Sequence, residues 1–203
     1  MRKFVRLSLV AGAASAVIGG AMVAGPSFAA PGGGECTLDG VANFSPGPGT
    51  NPTGTFAYDF GGDLSGCNSS ESGAPAGGHI SAGQQVSIGG VTYQEPKATG
   101  TGSCGFGQTA GTAIVQWADG TISVINYTTT SAAAGVALQG TVVPSATVTN
   151  VSTNTPATIN TTRYAGDGAA GALAFEVSDP SQCAASTGVV TAGIQGVTGI
   201  GHQ

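Results

Sequence analysis

Asp59 and Asp63, in the stretch YDFGGDLSG, are the closest exposed-looking pair of acidic side chains, with Tyr58 and Phe60 beside them. Two carboxylates flanking a glycosidic bond are the catalytic groups of most glycoside hydrolases. Alternation along a strand would place Tyr58 and Phe60 on one face and Asp59 on the other, towards solvent. We therefore expect solvated acids here. A calcium site built from loop carboxylates is the milder alternative.

The internal histidine, His79, lies in the Gly-rich stretch GAPAGGHIS, and His202 is the penultimate residue. A serine hydrolase needs a base beside its nucleophile, and the sequence has no GxSxG motif. We expect His79 to be a solvated or capping side chain. The sequence thus predicts no catalytic residue and no cofactor.

A GxGxxG pattern, the glycine signature of dinucleotide-binding loops, occurs as GTGSCG at residues 100–105. That function requires a strand before the glycines and a helix after them, whose N-terminus faces the phosphates. Here FGQTAGTAIV follows, which favours a strand. We interpret the motif as a loop that positions Cys104.

The four cysteines are Cys36, Cys67, Cys104 and Cys183. Zinc ligands usually come in close pairs, whereas these gaps are wide, so two disulfides are expected rather than a metal site. The turn-rich SPGPGTNPTG lies midway between the first two cysteines, and a hairpin folded there brings them together. The favoured pairing is Cys36–Cys67 with Cys104–Cys183; a different register with crossing bonds is the alternative.

The elements that position these residues are predicted to be strands, because Thr and Val dominate the intervals between Gly and Pro. The predicted fold is an all-β antiparallel sandwich, Ig-like or jelly-roll-like, with a β-barrel as the alternative. Long loops are predicted over residues 45–53, 61–83, 96–111 and 144–156, the last with an edge strand as the alternative. Strands are predicted over residues 37–44, 54–60, 85–88, 91–94, 112–118, 121–129, 135–143, 157–164, 172–177 and 188–197.

The clearest element is the hairpin in IVQWADGTISVINYTTT. Asp119 and Gly120 between two β-rich runs predict a two-residue turn. That register sets Trp117 opposite Ile122 on an apolar face, which we expect to be core. It puts Tyr127 on a mixed face, where the hairpin could bind something, so the Tyr127→Ala protein is expected to stay folded.

The N-terminal segment has the pattern of a secretory signal peptide. A basic start precedes an uncharged run, and Ser27 and Ala29 are small residues at the positions before a cleavage site. We predict a signal peptide over residues 1–29 and a single exported β domain over residues 30–203. The protein is expected to be secreted, with cell-wall association as a further possibility, and free of the membrane after cleavage.

Charge excludes another class of function. Beyond the predicted signal peptide remain two bases and ten acids, a formal charge of −8. Nucleic-acid binding needs clustered Lys and Arg, so nucleic acid is not expected as a partner. Charged residues make up 7% of the chain, which leaves solubility to Thr, Ser, Asn and Gln.

Several stretches, among them TYQEPKATGTGSC, GTAIVQWADGTISVINYTTT and RYAGDGAAGALAFE, resemble a family of small secreted actinomycete proteins with no assigned activity. The resemblance covers most of the exported part and implies no catalytic residues. We expect a non-catalytic extracellular protein that binds a glycan, a small ligand or a partner protein. A secreted hydrolase with an unfamiliar site and a secreted protease inhibitor are the alternatives.

Overall fold

The computed structural model describes residues 34–201, which form an all-β fold. These residues form thirteen strands and one turn of 3₁₀ helix, at Pro180–Ala184 between the last two strands. The strands are β1 (Gly34–Ser45), β2 (Thr55–Ser69), β3 (Gly78–Ala82), β4 (Gln85–Ile88), β5 (Val91–Gln94), β6 (Ala98–Gly102), β7 (Phe106–Trp117), β8 (Ile122–Ala132), β9 (Gly135–Val143), β10 (Ser145–Asn150), β11 (Thr155–Asn160), β12 (Gly168–Glu176) and β13 (Thr191–Gly201).

Eight strands close into an antiparallel barrel. Their order is β1-β13-β12-β9-β8-β7-β3-β2, and β2 pairs again with β1. In β1, Ala42 lies opposite Ala192 of β13 and Phe60 of β2. The all-β prediction with two disulfides is confirmed, but the predicted sandwich is wrong and its barrel alternative is the observed architecture. Inward and outward residues alternate alike in both folds, so the pattern does not reveal closure.

One strand position of the barrel is shared by two short strands. Between β2 and β7, β3 occupies one half of the wall and β6 the other. The chain leaves the wall after Ala82, forms the β4–β5 hairpin and returns at Ala98. The pair β3 and β6 is therefore one interrupted strand with a hairpin inserted at the break.

A second sheet covers part of the outer surface of the barrel. Its order is β11-β10-β5-β4. Val86, Val148 and Ile159 of this sheet pack against Ile114 and Val124, which point outwards from β7 and β8. Hydrophobic residues from both faces of β7 and β8 are therefore buried, Val115 and Ile125 in the barrel interior and Ile114 and Val124 beneath this sheet.

The barrel interior is filled by aromatic rings that lie over glycines. Phe44, Phe56, Tyr58 and Phe60 form successive ring contacts with centroids 5.7–6.4 Å apart. A Cβ on Gly100 would lie 2.5 Å from the ring of Phe56, so this strand position requires glycine. Large rings on β2 thus face a wall with little side-chain volume.

These glycines explain why two of the predicted loops contain strands. Residues 61–83 include the second half of β2 and all of β3, and residues 96–111 include β6 and part of β7. Residues 144–156 include β10, as the edge-strand alternative anticipated. Glycine breaks strands in most sequences, but here it makes room for rings inside the barrel.

The β7–β8 hairpin forms as predicted, but its register differs by one residue. The turn contains three residues, with Gly120 at φ 82° and Trp117 N–H donating to Thr121 O at 2.9 Å. Val115 lies opposite Ser123, not Val124. A slip of one residue exchanges the faces of a strand, so Tyr127 points inwards with Trp117, and the predicted mixed face is wrong.

Both disulfides join the predicted partners, Cys36 with Cys67 and Cys104 with Cys183. The β1–β2 hairpin folds about residue 51, where the turn-rich segment predicted it. The signal peptide over residues 1–29, the start of the exported domain and His202 lie outside the described residues, so those expectations stay predictions. In the described part of the chain, no helix has the length and hydropathy needed to span a membrane.

Candidate functional site

His79 and Asp63 form a cross-strand pair on the outer surface of the barrel. They are opposite each other in β3 and β2, and His79 Nδ1 lies 2.9 Å from Asp63 Oδ1. Both side chains are exposed. Among the described residues no hydroxyl is hydrogen-bonded to the His79 ring, so the pair lacks the nucleophile that a hydrolase needs.

Asp59 lies on the outer face of β2, as alternation predicted, but its side chain is only 19% exposed; Tyr58 and Phe60 point inwards. Burial raises the pKa of Asp59, but hydrogen bonds from Asn43 and Lys97 outweigh it and lower that pKa below the ordinary value. Asp59 and Asp63 are four positions apart on one strand face, about 13 Å at the usual rise. That exceeds the carboxylate separation in glycosidases. No group of three potential metal ligands occurs within residues 34–201.

The GTGSCG motif spans the turn between β6 and β7, so a strand follows it rather than a helix. Cys104 N–H donates to Gly49 O at 2.9 Å, and Cys104 is disulfide-bonded to Cys183. The motif thus positions Cys104, as predicted, and has no helix N-terminus to bind phosphate.

One end of the barrel is closed by aromatic packing. Trp117 and Tyr164 meet edge to face with centroids 5.6 Å apart, and the Trp117 indole N–H donates to Ser123 Oγ at 2.9 Å. Arg163 lies over Tyr164 and forms ion pairs with Asp119 and Glu71. The pocket lined by these two rings is only about 10 Å³. Access to the interior from this end is blocked.

The opposite end holds a cavity of about 470 Å³, here called the mouth cavity. Its walls are mainly apolar, with hydroxyl groups on one side. The lining residues are Phe44, Pro48, Phe56, Ser103, Cys104, Gly107, Thr109, Thr129, Ser131, Ala133, Ala134, Phe175, Glu176, Val177, Pro180, Cys183, Val189 and Ala192. A cavity of this size and composition matches the sites that hold small organic ligands in barrel mouths.

The aromatic wall of the mouth cavity comes from strands far apart in sequence. Phe44 is the penultimate residue of β1 and Phe175 that of β12, and their rings meet edge to face with centroids 6.0 Å apart. Phe56 near the start of β2 contacts Phe44 edge to face at 5.7 Å. The Cys104–Cys183 disulfide joins the β6–β7 turn to the 3₁₀ turn at the rim. The wall exists only because the barrel closes.

Four hydroxyl groups form a chain from the core to the mouth cavity, here called the hydroxyl chain. Tyr127 Oη lies 2.7 Å from Tyr58 Oη, which lies 2.8 Å from Thr109 Oγ1. Thr109 Oγ1 lies 2.7 Å from Thr129 Oγ1. Burial raises the pKa of Tyr58 and of Tyr127 above the ordinary value, so both phenols keep their protons near neutral pH.

Charge is nearly absent from the mouth cavity. Among the described residues that line it, Glu176 is the one charged side chain, and it is exposed at the rim. Residues 34–201 carry two bases and ten acids, and each base lies in an ion pair with acids outside the cavity. The cavity therefore favours a neutral occupant over an anion.

No family model, no curated protein and no solved structure shows significant similarity to the chain. The resemblance to secreted actinomycete proteins stays a prediction, and the candidate site rests on its geometry alone.

The mouth cavity was not predicted from the sequence. The sequence does contain a sign of its aromatic wall, because Phe44, Phe56 and Phe175 each fall on the inward side of a predicted strand or at its end. Bringing the three together requires knowing that β1 pairs with both β2 and β13, which no local pattern states.

Proposed function

We propose that the protein is a non-catalytic extracellular binding protein that holds a small, largely apolar, neutral molecule in the mouth cavity. The observation that carries the proposal is the contrast between the two ends of the barrel. One end is filled by Trp117 and Tyr164, and the other holds about 470 Å³ of aromatic-lined space. Protein interiors are close-packed, so an unfilled volume of this size at one end favours a ligand.

The lining supports binding rather than catalysis. The hydroxyls of Ser103, Thr109, Thr129 and Ser131 lie there, and Glu176, the one side chain of the described lining that could act as a base, is hydrogen-bonded to none of them. A hydroxyl without a neighbouring base is a weak nucleophile but a good hydrogen-bond partner. A secreted hydrolase and a protease inhibitor remain the alternatives, and no feature of the described residues favours either.

An extracellular role fits the two disulfides, which persist in oxidising compartments, and the signal-peptide pattern of the sequence. An acidic protein with a rigid, stapled barrel is suited to carry an apolar molecule through water, because the walls shield it from solvent. The mouth cavity needs no large movement to accept a ligand, since its walls are already formed.

A fluorescence titration with the neutral apolar probe N-phenyl-1-naphthylamine tests the proposal. The wild-type protein is expected to bind one equivalent with enhanced emission. Replacing Ala134, which is exposed at the rim of the mouth cavity, by Trp should weaken probe binding at least tenfold, because the indole occupies the entrance.

The matched control is Ala118→Trp. Ala118 is exposed in the β7–β8 turn, at the closed end of the barrel. The control should bind the probe as the wild type does. Equal binding by both variants, or no saturable binding by the wild type, would refute the proposed function.

A further inference from the structure

The direction of hydrogen-bond donation along the hydroxyl chain follows from the surroundings of its two ends. Tyr127 is the innermost member: its residue is 5% exposed, and Tyr58 Oη is its hydrogen-bond partner among the described residues. A buried O–H that donates to nothing is more costly than a buried oxygen that accepts nothing. The Tyr127 O–H therefore donates to Tyr58.

The remaining protons follow from this first donation. Tyr58 accepts from Tyr127, so its own proton goes to Thr109 at 2.8 Å. Thr109 then donates to Thr129 at 2.7 Å. A chain of four hydroxyls has four protons but three internal hydrogen bonds, so one proton is left over at the outer end.

That proton belongs to Thr129. Thr129 is half-buried on β8 and lines the mouth cavity, and its Oγ1 accepts from Thr109, with no acceptor for its own proton among the described residues. Hydroxyls in a chain polarise one another, which strengthens the donor at the end. The hydroxyl chain therefore presents one oriented O–H donor, that of Thr129, to the mouth cavity.

We infer that the ligand of the mouth cavity is a neutral, compact hydrocarbon skeleton with one oxygen acceptor, such as a ketone or ester, that accepts a hydrogen bond from Thr129. This inference rests on the proposed function, because it names the chemistry of the molecule held there. A carboxylate is disfavoured, since the cavity has no basic side chain in the described lining and carries Glu176 at its rim. A pure hydrocarbon would leave the Thr129 proton unpaired.

Two probes with one skeleton test the inference: 1-tetralone, which has a carbonyl, and tetralin, which does not. The quantity measured is the ratio of their dissociation constants, tetralin over tetralone, in wild type and in Thr129→Val, which removes the hydroxyl at nearly constant shape. The ratio should fall about 2- to 10-fold in Thr129→Val, the range of one neutral hydrogen bond. Using a ratio cancels the different solubilities of the probes.

Two further variants control the measurement. Thr129→Ser keeps the hydroxyl and should keep the wild-type ratio. Thr128→Val removes a hydroxyl from the neighbouring exposed position on the outer face of β8 and should also leave the ratio unchanged. Trp117 fluorescence reports that each variant is folded, because the chain has one Trp and it lies in the core.

The outcomes separate the inference from the proposed function. Binding of both probes with a ratio that Thr129→Val leaves unchanged would overturn the inference and leave the proposed function standing. Failure of both probes to bind the wild type at the mouth cavity would overturn both. A lowered ratio in Thr129→Val, with Thr129→Ser and Thr128→Val unaffected, supports the inference.

Discussion

A shift of one residue in the β7–β8 register decides the role of Tyr127. With the three-residue turn, Tyr127 lies opposite Gly111 and faces the barrel interior. A Cβ on Gly111 would approach the Tyr127 hydroxyl to 2.7 Å, which shows how closely the ring covers this glycine. A side chain expected on a binding surface is instead a structural member of the core and of the hydroxyl chain.

Replacing Tyr127 by Ala is therefore expected to destabilise the fold by about 3–5 kcal/mol, the usual cost of removing a buried aromatic side chain. The loss leaves a void and removes the hydrogen bond to Tyr58. Asn126→Ala, one position away on the outer face, should cost about 1 kcal/mol or less. Urea unfolding followed by Trp117 fluorescence measures both, and equal costs would place Tyr127 on the outer face.

At the scale of elements, the interrupted strand is the unusual feature. Glu95, at the return from the β4–β5 hairpin, is 2% exposed and accepts hydrogen bonds from Ser81 Oγ–H at 2.8 Å and Gln84 N–H at 3.1 Å. Gln94 Nε2 donates to the carbonyls of Gly83, Gln84 and Glu95. Side chains of the returning segment thus satisfy polar groups that the strand ladder leaves unpaired at the break.

Burial raises the pKa of Glu95 from the ordinary 4.5 to about 7, outweighing the hydrogen bonds from Ser81 and Gln84 and the effect of His79, which lower it. Between these values the folded chain keeps a proton that the unfolded chain releases. Raising the pH from 4.5 to 7 should therefore lower the free energy of unfolding, by on the order of 3 kcal/mol. Below and above this range the contribution of Glu95 is constant.

Denaturant unfolding at several pH values measures this dependence. Glu95→Gln, which cannot ionise, is expected to lose the decline between pH 4.5 and 7. Glu35→Gln removes the same charge from an exposed position on β1 and should retain the decline. A decline as steep in Glu95→Gln as in the wild type would exclude Glu95 as its source.

The elements themselves were largely predictable from the sequence, and the strands it missed at β3 and β6 share one cause. The hairpin at Asp119–Gly120 and the turn between Cys36 and Cys67 follow from local turn residues, and both form. β6 has two glycines among five residues, and β3 begins with Gly78 and lies between Gly77 and Gly83, so the local pattern assigns both to loops. Gly100 belongs in a strand only because the ring of Phe56 lies against it, and that contact is not visible from the sequence around it.

At the scale of the whole molecule, closure creates both ends of the barrel at once. Pairing of β1 with β13 joins residues near the two ends of the described chain, and the Cys104–Cys183 disulfide then fixes the rim of the mouth cavity. No local pattern encodes this pairing, so neither closure nor the mouth cavity could be predicted from the sequence. The position at which a ligand binds the barrel therefore needs a direct measurement.

Methyl chemical shifts recorded during titration with N-phenyl-1-naphthylamine give that measurement. The methyl signals of Val189 and Ala192, which line the mouth cavity, are expected to move and saturate together. Those of Val86 and Val148, buried beneath the second sheet outside the barrel, should stay in place. Shifts confined to Val86 and Val148, or no shifts at a saturating probe concentration, would contradict a ligand site in the mouth of the barrel.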